Sequence, residues 1–199
     1  MKTRFMAVVL GCMALAATTA LVAEEAEKEK EFKAVCPVSG GPAKEENSVE
    51  YHGKKVYFCC KNCPNAFKAD TKKYAAKANY QLAETGQVVQ VACPISGKPC
   101  NPDVSSDVGG VTVGFCCNGC KGKADKAGDE VLALLFGDLA KGYTLQTACP
   151  VSGKPIKTDK FVEHDGKKVY FCCGGCPAAF TADPAKFVSK LPQFSETDK

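Results

Sequence analysis

The chain has no tryptophan, a single arginine (Arg4) and only two histidines, His52 and His164. Arginine supplies the planar fork that grips phosphate, and large aromatics supply stacking platforms for bases, so their scarcity argues against nucleic acid as a partner. Charge agrees: the formal net charge of +4 falls to +2 once Lys2 and Arg4 are set aside, and lysines are mixed with acids throughout. No basic block is left to act as an electrostatic footprint. No Ser-His-Asp, phosphate-loop, HExxH or paired-carboxylate pattern is present. Any catalysis would rest on cysteine alone, and the chain reads as a binding protein, not an enzyme.

Long apolar runs are equally scarce. One follows the basic start Met1–Arg4 and extends over the 19 residues from Phe5 to Ala23. It ends in small residues before Glu24, which predicts a signal peptide (residues 1–23) cleaved near Ala23-Glu24 and a periplasmic or secreted mature chain. Leu10-Gly11-Cys12 resembles the end of a lipobox, but only six apolar residues precede it, too few for a good signal core. Membrane attachment follows only if Cys12 is lipidated or the run stays uncleaved, when its length only just spans a bilayer. Residues 24–33, beginning EEAEKEKE, read as a charged, solvated linker.

What the chain has in abundance is cysteine: fourteen in all, thirteen of them after the leader. They repeat. Cys36-Pro37-Val38-Ser39-Gly40, Cys93-Pro94-Ile95-Ser96-Gly97 and Cys149-Pro150-Val151-Ser152-Gly153 are one element at offsets of 57 and 56. Each is followed by a doublet and a further cysteine: Cys59-Cys60 with Cys63, Cys116-Cys117 with Cys120, Cys172-Cys173 with Cys176. The pattern C-x22-CC-x2-C thus occurs three times without a change of spacing, marking tandem modules at 34–86, 87–142 and 143–199. Copy two keeps every thiol yet has Gly114 for Tyr57, Lys121 for Pro64 and Ala124 for Phe67. Losing aromatics while keeping thiols favours a role for the thiols beyond packing.

Each copy reads as a knuckle, a β-hairpin, a short helix and a longer helix, a small α+β unit. Alternation from Val49 to Phe58 around His52-Gly53 predicts a hairpin. Asp70-Thr71 and Asp183-Pro184 predict helix starts, with Thr85-Gly86 stopping the first long helix. Glu130 to Phe136 is the matching apolar helix of copy two, and Gln87 to Ala92 a strand entering it.

In one module the leading cysteine sits on a tight Cys-Pro-x-Ser-Gly turn, the next closes the hairpin, and the last opens a helix four residues on. Those two sulfurs share a face, giving a zinc-finger-like geometry. The candidate ligands are Cys36, Cys59 and Cys63; Cys93, Cys116 and Cys120; and Cys149, Cys172 and Cys176. A zinc knuckle normally reads C-x2-C, but Ser39, Ser96 and Ser152 stand in the second position, and neither histidine is a threefold feature. Three thiolates suit Cu(I) in trigonal coordination, or Zn(II) with a water or a further thiol, about one ion per module. Cys60, Cys117 and Cys173 are possible additional thiols, read first as small, partly buried residues at the helix start. Cys100, in copy two alone, is incidental to the pattern. Two other classes compete: a disulfide-stapled structural or partner-binding array, since exported cysteines usually pair, and a thiol–disulfide redox protein built on Cys60-Lys61-Asn62-Cys63.

The pattern resembles the TRASH domain and its relative the YHS domain, small treble-clef-like modules with cysteines at this spacing. The Gly-Lys-x-x-Tyr-Phe-Cys lead-in, Phe67 and Phe180 carry the likeness as well. The resemblance implies metal sensing, trafficking or sequestration, with copper, zinc or mercury bound by those three cysteines per module. Triplication behind a signal peptide, with no DNA-binding or kinase segment, points to trafficking or sequestration, in exchange with another envelope metal-handling protein.

Overall fold

The computed structural model describes residues 32–194; the expected leader, Cys12 and most of the charged linker lie outside them. Copy one comprises β1 (Lys44–Tyr51), β2 (Lys54–Phe58), α1 (Cys63–Ala69) and α2 (Thr71–Glu84). A two-residue strand, β3 (Val89–Gln90), leads into copy two, which has β4 (Ser105–Val108), β5 (Val111–Gly114), α3 (Asn118–Asp125), α4 (Val131–Phe136) and α5 (Leu139–Gly142). Strand β6 (Tyr143–Thr144) then opens copy three, with β7 (Lys157–His164), β8 (Lys167–Phe171), α6 (Cys176–Ala182) and α7 (Ala185–Val188). The result is a set of three small mixed α+β modules, each carrying a cysteine cluster.

The hairpins form where alternation and turn chemistry agree. His52 and Gly53 both have positive φ, as do Gly109 and Gly110 and then Asp165 and Gly166. Two consecutive left-handed residues make the turn that matches the natural twist of a hairpin. Gly109 is required for a second reason: a side chain there would lie 2.6 Å from the Tyr80 hydroxyl, which donates a 2.7 Å hydrogen bond to the Gly109 carbonyl. On the second strand or just past its end, Val56 and Phe58, Val113 and Phe115, and Val169 and Phe171 are all fully buried. The hairpin therefore nails the cysteine that follows it to the core.

The helix expected from Asp70 forms as Thr71–Glu84; the Asp70 carboxylate accepts from the Lys73 amide at 3.1 Å, and Gly86 has φ +69° just beyond its end. Three expectations need adjusting. Asp183 makes no such cap: α7 starts behind Pro184, runs for only four residues and leaves copy three without a long helix. In copy two Glu130 belongs to a 3-10 turn, Gly128–Glu130, ahead of α4. The strand entering copy two shrinks to Val89–Gln90, paired antiparallel with Tyr143–Thr144 at the exit.

Burial divides the chain unevenly. Copies one and two share one core, in which Phe58, Leu82, Phe115, Leu135 and Phe136 are almost wholly buried, whereas copy three closes a smaller core around Phe171, Phe180 and Leu191. The joint of the larger core is α2 against α4. Phe136 meets Tyr80 edge-to-face at 5.4 Å and stacks on Tyr143 at 5.3 Å, while Asn79 Nδ2 donates to the Phe136 carbonyl at 2.7 Å. Among the described residues, no helix is long and apolar enough to cross a membrane.

Truncating the joint should show this division. Phe136→Ala removes a fully buried ring at a cost of about 3–5 kcal/mol. Hydrogen exchange followed by mass spectrometry should show protection lost across copies one and two, with that of copy three retained.

Candidate metal centre

Each site is assembled from a knuckle, a hairpin end and a helix start. In the knuckle, the Gly40 amide donates to the Cys36 carbonyl and the Cys36 amide to the Gly41 carbonyl, both at 2.8 Å. Gly40 can close this turn because it sits at φ +76°, and Gly97 (+70°) and Gly153 (+73°) repeat it. Cys36, Cys93 and Cys149 are thereby buried to 1% exposure or less.

A glutamine side chain locks each knuckle to its hairpin. Gln146 Nε2 donates to the carbonyls of Ala148 (3.0 Å) and Tyr170 (2.6 Å), while its Oε1 accepts from the Tyr170 amide at 2.9 Å. Gln90 does the same for copy two, with Ala92 and Gly114. Copy one has Lys33 at the equivalent place and borrows Gln81 from α2, which bonds Val35 and both polar groups of the Tyr57 backbone. In every copy the amide thus joins the residue before the leading cysteine to a strand residue two before the doublet. No expectation from sequence anticipated this clip, although Gln90 and Gln146 recur at the repeat offset of 56.

The clips and hairpins bring the predicted ligands together. The sulfurs of Cys36, Cys59 and Cys63 lie within 4.8 Å of one another, as do those of Cys93, Cys116 and Cys120, and of Cys149, Cys172 and Cys176. The separations across the doublet-to-helix step are 3.6, 3.7 and 3.8 Å. Sulfurs bound tetrahedrally at about 2.3 Å from one ion stand about 3.8 Å apart, so the triads fit a shared ion with little rearrangement. They are far from the ~2.05 Å of a disulfide, and all thirteen described cysteines are free.

The serine of each knuckle supports a sulfur instead of replacing it. Ser39 Oγ is 3.1 Å from Cys59 Sγ, Ser96 Oγ 3.1 Å from Cys116 Sγ, and Ser152 Oγ 3.0 Å from Cys172 Sγ. Each hydroxyl oxygen also accepts from a backbone amide, that of Gly41, Lys98 or Lys154. Against a thiolate the hydroxyl is a donor, and such charge-assisted bonds hold the anion.

Electrostatics within a triad is lopsided. Burial opposes ionisation of Cys36, yet the Ser39 hydroxyl and the amides of Ser39, Cys59 and Val38 outweigh it and lower the thiol to about 7. Cys93 and Cys149 fall to about 6, burial being outweighed by the equivalent donors. Burial, then neighbouring sulfurs, pushes Cys63 up and Cys120 up to about 12. Cys176 also rises to about 12, first through its contact with Cys173 and then through burial. The leading thiol of each triad is thus poised to ionise near neutral pH, while the helix-start thiol is held toward its protonated form.

The second cysteine of each doublet departs from expectation. Cys60, Cys117 and Cys173 are exposed, not partly buried, because the chain turns outward between the hairpin end and the helix. Their sulfurs nevertheless stand 3.5 Å from Cys63, 3.7 Å from Cys116 and 3.4 Å from Cys176. Cys100 fills a gap: its Sγ lies 3.4 Å from where a side chain at Gly114 would begin, on the strand position that carries tyrosine in the other copies.

Three largely buried thiol clusters on small α+β units define a class of cysteine-rich modules whose sulfurs could each hold a metal ion. Residues 34–78 match the YHS domain model, so the first module is similar to that family. The match covers the first copy alone; the second and third resemble it through their own cysteine spacing and geometry. No curated protein and no solved structure matches the chain.

Two outcomes follow. Gln146→Leu strands both backbone polar groups of Tyr170 and should cost roughly 1–3 kcal/mol, with metal titration showing the third site weakened and the other two intact. Because the leading thiols ionise at about 6 to 7 and metal needs thiolates, affinity should rise with pH. Proton release measured by calorimetry in buffers of different ionisation enthalpy should fall by about one proton per ion as pH climbs through that window. A constant release would show the knuckle donors to be ineffective.

Proposed function

We propose that the protein is an exported metal-binding protein that holds Cu(I) or Zn(II), one ion per module, for trafficking or sequestration in the cell envelope. The observation that carries this reading is the threefold sulfur triad, kept within the same 4.8 Å limit in copy two despite its altered aromatics. A purely structural array would have no reason to hold nine sulfurs at non-bonded contact, with hydroxyl or amide groups set against the leading and middle cysteine of each triad. Three thiolates without histidine favour soft ions, and a soft ligand set exchanges its ion readily with other thiol carriers. Export rests on the basic start and apolar run of residues 1–23, and the role is binding, not catalysis.

The test is metal content. The chain from Glu24 onward, purified reduced and without oxygen, should carry about three equivalents of copper or zinc by inductively coupled plasma mass spectrometry. Cys59→Ser with Cys63→Ser should remove one equivalent. A metal-free protein whose thiols map as stable disulfide pairs would overturn the proposal.

A further inference from the structure

Each triad has a buried side and an open side. Cys36 is fully buried beneath its knuckle and Cys63 only 8% exposed, whereas Cys59 is half-buried and Cys60 faces solvent. The same gradient recurs from Cys93 and Cys120 through Cys116 to Cys117, and from Cys149 and Cys176 through Cys172 to Cys173. A purely structural site has no use for an exposed sulfur at van der Waals contact with its ligands. Copy two nonetheless retains one, having changed the tyrosine before the doublet and the proline after Cys120. Solvent-facing thiols are also prone to oxidation, so an exposed cysteine in all three copies carries a cost.

We propose that Cys60, Cys117 and Cys173 are exchange ligands, the positions through which a soft cation enters and leaves each triad. This rests on the metal-binding reading above and adds to it the route of transfer. Cys60 Sγ stands 3.5 Å from Cys63 Sγ, close to the separation of two sulfurs bound to one ion. A cation held by the triad can therefore gain a bond to Cys60 before any bond is lost. The next step breaks a bond to a triad sulfur and leaves the ion shared by the open-side thiolates, where an incoming thiolate from a carrier protein or small thiol takes it. Each sulfur–metal bond formed is matched by one broken, the proton shed as Cys60 coordinates is balanced by one taken up by the released triad sulfur, and each donor pair stays with its sulfur, so no electrons are transferred. Ser39 fits the same scheme, because its bond to Cys59 holds the half-buried sulfur in place while its neighbour changes partners.

The experiment compares the mature chain with its Cys60→Ser/Cys117→Ser/Cys173→Ser variant, each loaded with Cu(I) or Zn(II) under anaerobic conditions. Equilibrium affinity is read by competition with a chromophoric chelator, and transfer rate by stopped-flow mixing with excess glutathione. Since the replaced side chains are exposed, the melting temperature should be unchanged, confirming a folded variant. The expected result is three ions still bound, affinity within about threefold of the parent, and transfer slowed at least tenfold. Unchanged transfer would overturn the proposal. So would an affinity loss as large as that of Cys59→Ser, which would make the doublet's second thiol a permanent ligand. If the parent protein itself binds no metal, the functional reading fails along with it, an outcome recognisable before any variant is compared.

Discussion

Three sulfur atoms within 4.8 Å of one another cannot all be anions unless a cation lies among them. Much of the local architecture follows from that constraint. Without a cation, the fold favours charge on one sulfur and disfavours it on another. The knuckle amides and the serine hydroxyl favour the leading cysteine, whereas burial and neighbouring sulfur leave the helix-start cysteine neutral. A divalent or monovalent soft ion reverses this asymmetry by making every thiolate favourable at once. The free energy of binding is then partly the relief of crowding that folding itself imposes.

That crowding has to be held by something other than the metal, and the module does so with few parts. A hairpin anchored by a buried valine and phenylalanine fixes one sulfur, a glycine-closed knuckle fixes another, and a single amide side chain ties the two together. Because the glutamine pairs with its strand as a peptide group would, it satisfies backbone groups that the short hairpin leaves open. Such units are too small to bury much surface alone, and copies one and two compensate by pooling their cores through α2 and α4.

Much of the site could be read from sequence, because it is written in fixed spacing. The nine triad cysteines come together as the C-x22-CC-x2-C repeat implied, and α2 begins and ends where Asp70 and Thr85-Gly86 indicate. The features that escaped are those with no local signal. Gln81 clips Val35 across 46 residues, and nothing in the helix pattern distinguishes it from a surface glutamine. The exposure of Cys60 depends on a bend after the hairpin that strand alternation does not describe. Copy three looked most like copy one by residue identity, yet its helix after Pro184 stops at Val188 because tertiary contacts, not the cap, set helix length.

The short ladder between β3 and β6 has a mechanical corollary. Val89 pairs with Thr144 and Gln90 with Tyr143, and the amides of Val91 and Ala92 both reach the Gly142 carbonyl, so the chain enters and leaves copy two side by side. Tension applied along the polypeptide passes across this clasp and bypasses everything enclosed by it. The middle cluster is therefore shielded from a pull on either end until the clasp opens, while the outer two bear the load directly.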